Sequence, residues 1–132
     1  MNSEYLEITE HKEPGFKPLV IYEGWRAAIL NDDPSKYRRD TMKQFERHNL
    51  TDEVFVLLQG SCTLLIGDGR SDDSVGAVTP VEMEPNKLYN VRRGVWHNLL
   101  GQEGMVLFVV ENSNTSRDTS DFLPITPEII PE

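Results

Sequence analysis

Apolar and polar residues alternate along most of this chain in short runs, and residues that bend the backbone separate the runs. The runs are Leu19–Tyr22, Trp25–Leu30, Thr41–Arg47, Glu53–Leu58, Cys62–Ile66, Val81–Met83, Lys87–Val91, Trp96–Leu100 and Met105–Glu111. Each is too short for an ordinary helix, and the period of two in several of them is that of a half-buried strand. Between them stand Gly15, Asn31-Asp32-Asp33-Pro34, Gly60-Ser61, Gly67-Asp68-Gly69, Pro85-Asn86 and Gly101-Gln102-Glu103-Gly104, which tolerate positive φ or preset a turn. Nine short strands in one domain-sized chain predict an all-β closed barrel or jelly roll. The pattern gives a polar segment over 1–15, a barrel over 16–112 and a loop and tail over 113–132. Pro34–Arg39 is the one stretch suited to a helical turn. Val54–Gln59 and Cys62–Ile66 read as a hairpin across Gly60-Ser61.

Composition narrows the class. Apolar residues make up 38% and charged residues 27% of the 132, a globular balance. The net charge of −9 argues against nucleic acid, which needs clustered Lys and Arg. No apolar run is long enough for a bilayer, and the opening residues lack the pattern of a secretory signal. Cys62 is alone and can form no internal disulfide, as expected in a reducing compartment. A cytoplasmic protein without a membrane partner is expected.

Candidate chemistry gathers at two places. His48 ends one run and Glu53 opens the next, while Glu46, two residues before His48, shares its face in a strand. Met42 and Gln44 extend that face. His97 opens a later strand. Two imidazoles and one or two carboxylates aimed into one barrel would form a metal site of mixed nitrogen and oxygen ligands. His11 lies in the polar N-terminal segment and carries no assignment.

The segment from Asp40 through Glu46, His48 and Glu53 to Gly60 resembles the first cupin motif, and Asn86 to Gly101, with Gly94 and His97 in register, is similar to the second. Glu46 stands where the family's first histidine would be, Asp40 and Asn86 replace glycines, Arg92 replaces the proline and Gly101 the asparagine. Asn86 is the mildest change, because Asn best imitates glycine at positive φ. The resemblance implies a cupin-type jelly-roll barrel (a double-stranded β-helix), a homodimer, and a divalent ion (Mn²⁺, Fe²⁺, Zn²⁺ or Ni²⁺) held by His48, Glu53, His97 and Glu46. A carboxylate in place of an imidazole favours harder ions, and it brings the charge of the occupied site to zero.

Cupins host many reactions, so the fold names none. One expectation is a metal-dependent enzyme acting by Lewis-acid chemistry (an isomerase, lyase or dioxygenase) on a small oxygen-rich metabolite: a sugar derivative, a keto or hydroxy acid, or a ureido compound. Glu46 is then the candidate catalytic base if it does not ligate. The alternatives are a small-molecule binding or sensor module and a barrel of purely structural role. Met42, Gln44, Phe55, Tyr89, Arg92 and Leu99 are the candidate pocket residues, with Arg92 and Arg93 preferred over Arg47 as sources of positive potential. Trp96 should point away from His97 into packing. The polar stretch 111–120 is a solvated loop, or a flap whose Asn112 or Arg117 reaches the pocket.

Overall fold

Ten strands build the fold in the computed structural model, which describes residues 3–69, 71–125 and 127–131. They are β1 (Gly15–Tyr22), β2 (Trp25–Asn31), β3 (Gln44–His48), β4 (Glu53–Gln59), β5 (Cys62–Gly67), β6 (Val78–Glu82), β7 (Tyr89–Val91), β8 (His97–Gly101), β9 (Val106–Asn112) and β10 (Ser120–Pro124). One sheet has the order β1-β2-β9-β4-β7 and the other β10-β3-β8-β5-β6, with every strand pair antiparallel. This is the expected all-β jelly roll. Among the described residues no helix is long and apolar enough to cross a membrane.

Alternation decides what fills the barrel. Ala28, Leu30, Phe55, Leu57, Cys62, Leu64, Leu99, Met105, Leu107 and Val109 form one core between the sheets. A second core lies on the outer face of the β3-containing sheet, where Met42, Phe45, Leu65, Trp96 and Ile130 pack together. Trp96 is fully buried there, facing away from the neighbouring His97 as alternation requires. Arg47 stacks over its ring at 4.6 Å, and its indole NH donates to the Ser71 carbonyl. Pro80 sits in β6, an edge strand, where a missing amide proton is tolerated.

The structure revises three expectations. Val54–Gln59 and Cys62–Ile66 are not a hairpin, because β4 pairs with β7 and β9 while β5 pairs with β6 and β8. Gly60 instead turns a corner between the two sheets, with φ +72° and space for a Cβ only 2.9 Å from the Gly104 backbone. Residues 34–39, the stretch suited to a helical turn, do close one, with Tyr37 NH bonding Asp33 CO. Second, the chain past 112 is not all loop and tail. Ser120–Pro124 adds β10 beside β3, and Arg39 donates to the Ile130 and Pro131 carbonyls, which seats Ile130 in the second core.

The third concerns Met42, expected on the pocket face. The strand begins only at Gln44, so the period of two does not reach back to Met42, and its side chain is buried in the outer core. Asn86 has φ +66°, the left-handed conformation anticipated for an Asn in a glycine's place.

Candidate metal centre

Four side chains converge at one end of the barrel. Glu46 and His48 come from β3, Glu53 from the first residue of β4 and His97 from the first residue of β8. Their ligand atoms all lie within 4.8 Å of one another. Glu53 Oε1 is 3.0 Å from Nε2 of both His48 and His97, and Glu46 Oε1 is 3.8 Å from the same two nitrogens. Ligands bound at about 2.1 Å at right angles would stand about 3.0 Å apart, and both Glu53–imidazole distances match that spacing. Local register explains the convergence. Glu46 is the cross-strand partner of His97, and the Gly94 amide bonds the His48 carbonyl, tying the two motifs together.

The far ring nitrogens are also engaged. His97 Nδ1–H donates to the Val95 carbonyl at 2.9 Å, and His48 Nδ1 contacts Ser120 Oγ at 2.8 Å. These bonds aim both Nε2 atoms into the cluster, as outer partners of metal-binding histidines do. Electrostatics within the cluster are tightly linked. Burial would lower His97, but the Glu53 hydrogen bond and the charges of Glu53 and Glu46 outweigh it and hold the imidazole at about 9. His48 is raised by the same balance. Burial raises Glu46, with the Glu53 charge acting in the same direction. Glu53 falls well below the usual carboxylate range, because its two histidine bonds overcome its complete burial. A cluster that binds protons in this way suits exchange of those protons for a cation.

A third acid completes the surroundings. Glu111, from β9, faces Arg26 directly across the ladder with β2 and accepts from Arg26 Nε and Nη2 at its Oε1, at 3.1 and 2.7 Å. Burial and the Glu53 charge raise its pKa to about 7. Both residues were legible as charged positions on inward faces, since Arg26 alternates with Ala28 and Leu30, and Glu111 with Val109 and Leu107. A buried charge on a core face needs a partner, and that requirement is the signal the motif reading passed over.

The cluster opens on a cavity of about 700 Å³, a size typical of small-molecule sites. Gln44, Phe55 and Leu99 line it. Three other candidate residues lie elsewhere. Met42 is in the outer core, Tyr89 packs at the core and accepts a bond from the Glu84 amide, and Arg92 is exposed beyond β7. Arg93 also is exposed, its amide bonded to Asp52. Positive charge at the cavity comes instead from Arg26, Lys36, Lys43 and Arg117. Arg117 stacks over Phe122 at 4.3 Å and lies on the cavity wall, whereas Asn112 bonds the Thr51 hydroxyl and the Leu50 carbonyl. Cys62 is buried, and burial followed by the Glu82 and Asp32 charges pushes its thiol up to about 12, so it is inert.

No protein-family profile matches the chain, and no curated protein matches it by sequence. Solved structures do match. A cupin-2 domain-containing protein from Shewanella frigidimarina shares 15% identity over 80% of this chain and 84% of its own, with a TM-score of 0.53. Oxalate decarboxylase from Bacillus subtilis aligns at 15% identity and TM-score 0.54 over 75% of this chain, which spans 24% of that protein. The TDP-quinovose 3,4-ketoisomerase WlaRB from Campylobacter jejuni gives 15% identity and TM-score 0.54, covering 72% of this chain and 67% of its own. At these identities the likeness is one of fold, and the fold is that of the cupins.

Proposed function

We propose that this cupin-fold protein is a metal-dependent enzyme acting on a small, oxygen-rich metabolite held in the barrel cavity. The observation that carries the reading is Glu53 Oε1 standing 3.0 Å from both imidazole Nε2 atoms at the floor of an open cavity. His48, Glu53, His97 and Glu46 would hold the ion, which supplies Lewis acidity toward a substrate oxygen. Where Glu46 does not ligate, it is the catalytic candidate among this chain's own residues. Its side chain is 38% exposed and lines the cavity; with Oε1 turned to the histidines, Oε2 is left for the substrate, and its raised pKa suits proton exchange. Lys36, Lys43 and Arg117 around the cavity fit a substrate carrying negative charge. Fold neighbours described as a decarboxylase and a ketoisomerase support an enzyme over a passive barrel.

Elemental analysis of purified protein tests the reading, followed by turnover assays with chelating sugar acids, keto acids and ureido compounds. Near-stoichiometric divalent metal, lost in His97→Ala, is the expected result. Protein that holds no metal after incubation with Mn²⁺, Fe²⁺, Zn²⁺ and Ni²⁺, yet still binds a metabolite, would establish a binding module instead. A homodimer belongs to the same proposal. The cross-strand pairs Ala27–Val110, Ile29–Phe108 and Val56–Phe108 give the first sheet an apolar outer face suited to a second copy. Light scattering with size exclusion should give twice the 15.1 kDa chain mass, and a monomer at micromolar concentration would rule the dimer out.

A further inference from the structure

Glu111 Oε2 is the only buried side-chain oxygen or nitrogen among the described residues without a hydrogen-bond partner. Its side chain is 3% exposed, and Oε2 lies 3.9 Å from His48 Nε2. That is the distance at which Glu46 Oε1 stands from the same nitrogen, 3.8 Å. Leaving a carboxylate oxygen buried and unpaired costs on the order of 1–3 kcal/mol. The Glu53 carboxyl beside it cannot donate while both are ionised, so a cation is the partner that suits both. The other Glu111 oxygen is fixed by the two Arg26 bonds, and Oε2 faces His48 at the edge of the four residues whose ligand atoms lie within 4.8 Å of one another.

We propose that Glu111 is a fifth protein ligand of the divalent ion, binding through Oε2 while Arg26 holds Oε1. The inference rests on the metal reading above and goes beyond it in ligand number and ion choice. Glu46, Glu53 and Glu111 carry three negative charges and Arg26 one positive charge, a sum of −2 that a divalent cation neutralises. The set becomes two nitrogens and three oxygens, which favours Mn²⁺ or Fe²⁺ over Zn²⁺, an ion held more often by four ligands richer in nitrogen and sulfur. Five protein ligands also leave one position of an octahedron for substrate, so the ion would take a single substrate oxygen. The remaining polar groups of the substrate would then be read by the cavity wall.

Calorimetric titration of metal-free wild type, Glu111→Gln and Glu111→Asp with Mn²⁺ and with Zn²⁺ tests the inference. Gln retains an oxygen for Arg26 and removes the anionic ligand. Mn²⁺ affinity should fall at least about tenfold in Glu111→Gln, Zn²⁺ affinity should fall less, and the melting temperature of the metal-free variant should not drop. Glu111→Asp, which keeps the charge, should recover part of the Mn²⁺ affinity. Unchanged Mn²⁺ affinity, with a lower melting temperature, would overturn the inference and leave Glu111 as a structural partner of Arg26, the metal reading standing. Wild-type protein that takes up neither ion would remove both.

Discussion

Glu46 and His97 face each other across the β3–β8 ladder, so the residue that departs from the cupin motif sits opposite the histidine that keeps it. Cross-strand partners share a face, and here Glu46 Oε1 approaches His97 Nε2 to 3.8 Å. A single substitution therefore tests what the departure does. Glu46→His puts a third imidazole at the same point of the cluster and should move selectivity toward Zn²⁺ and Ni²⁺. The ratio of Zn²⁺ to Mn²⁺ affinity, measured by competition with a chromogenic chelator, should rise by roughly tenfold or more. An unchanged ratio would show that position 46 does not touch the ion.

The cluster also gives the metal-free protein a pH dependence of known sign. His97 is held at about 9, above its unfolded value of about 6.5. Its contribution to stability is complete below the unfolded value and is lost as pH rises through 9. Glu111, raised to about 7, works in the same direction, because between about 4.5 and 7 the unfolded chain ionises this carboxyl while the folded protein keeps its proton. Glu53, held low, contributes over this whole range and gives way only on acidification. The melting temperature in EDTA should therefore fall by about 5 °C or more between pH 6.5 and 9. With saturating Mn²⁺ the trend should reverse over the same interval, since protons and the cation compete for the imidazoles. A flat profile in EDTA would mean that these protons do not contribute to the fold.

The outer core predicts stability independent of chemistry. Ile130 is 1% exposed and packs with Trp96, Phe45 and Leu65, on the face opposite the cluster. Ile130→Ala should cost about 2–4 kcal/mol, or roughly 10 °C in melting temperature. Metal affinity in the same variant should stay within about twofold. Thermal melts and a Mn²⁺ titration on one preparation would check both halves, and a full loss of metal binding would show that the two faces of the sheet are coupled.

Much of the architecture and the central trio could be read from the chain, for reasons visible in particular residues. The alternation of Glu46 with His48 and the spacing to Glu53 and Gly60 survive in three dimensions because a strand's period of two is rigid. Asn86 takes the left-handed backbone that only a few residue types accept. What escaped was set by tertiary context. β10 is polar at its start, so Ser120, which holds the His48 ring, gave no strand signal. The segment 53–66 showed two good strands but not which sheets they would join. Met42 lost its pocket role because β3 starts two residues later, and Arg92 is exposed beyond β7, so of the arginines the sequence offered Arg117 is the one that lines the cavity. Arg26 and Glu111 were legible singly, yet only the β2–β9 register makes them a pair.

Arg117 is the last position from which the substrate class can be tested. The chain is strongly acidic overall, at −9, yet Arg117, Lys36 and Lys43 surround this one cavity above a floor of carboxylates. A ligand that bridges floor and rim would offer one oxygen to the cluster and an anionic group to the rim. Arg117 is stacked on Phe122 at 4.3 Å, which restrains the guanidinium and lowers the entropy lost when it binds. Arg117→Gln should therefore weaken binding of a uronic acid by about tenfold, the loss expected for one charge-assisted hydrogen bond. Binding of the parent neutral hexose should change by less than about twofold, and the difference between the two should shrink at high salt. Equal losses for both sugars would mean that Arg117 shapes the wall without reading charge, and that the anionic group, if the substrate has one, is met by Lys36 or Lys43 instead.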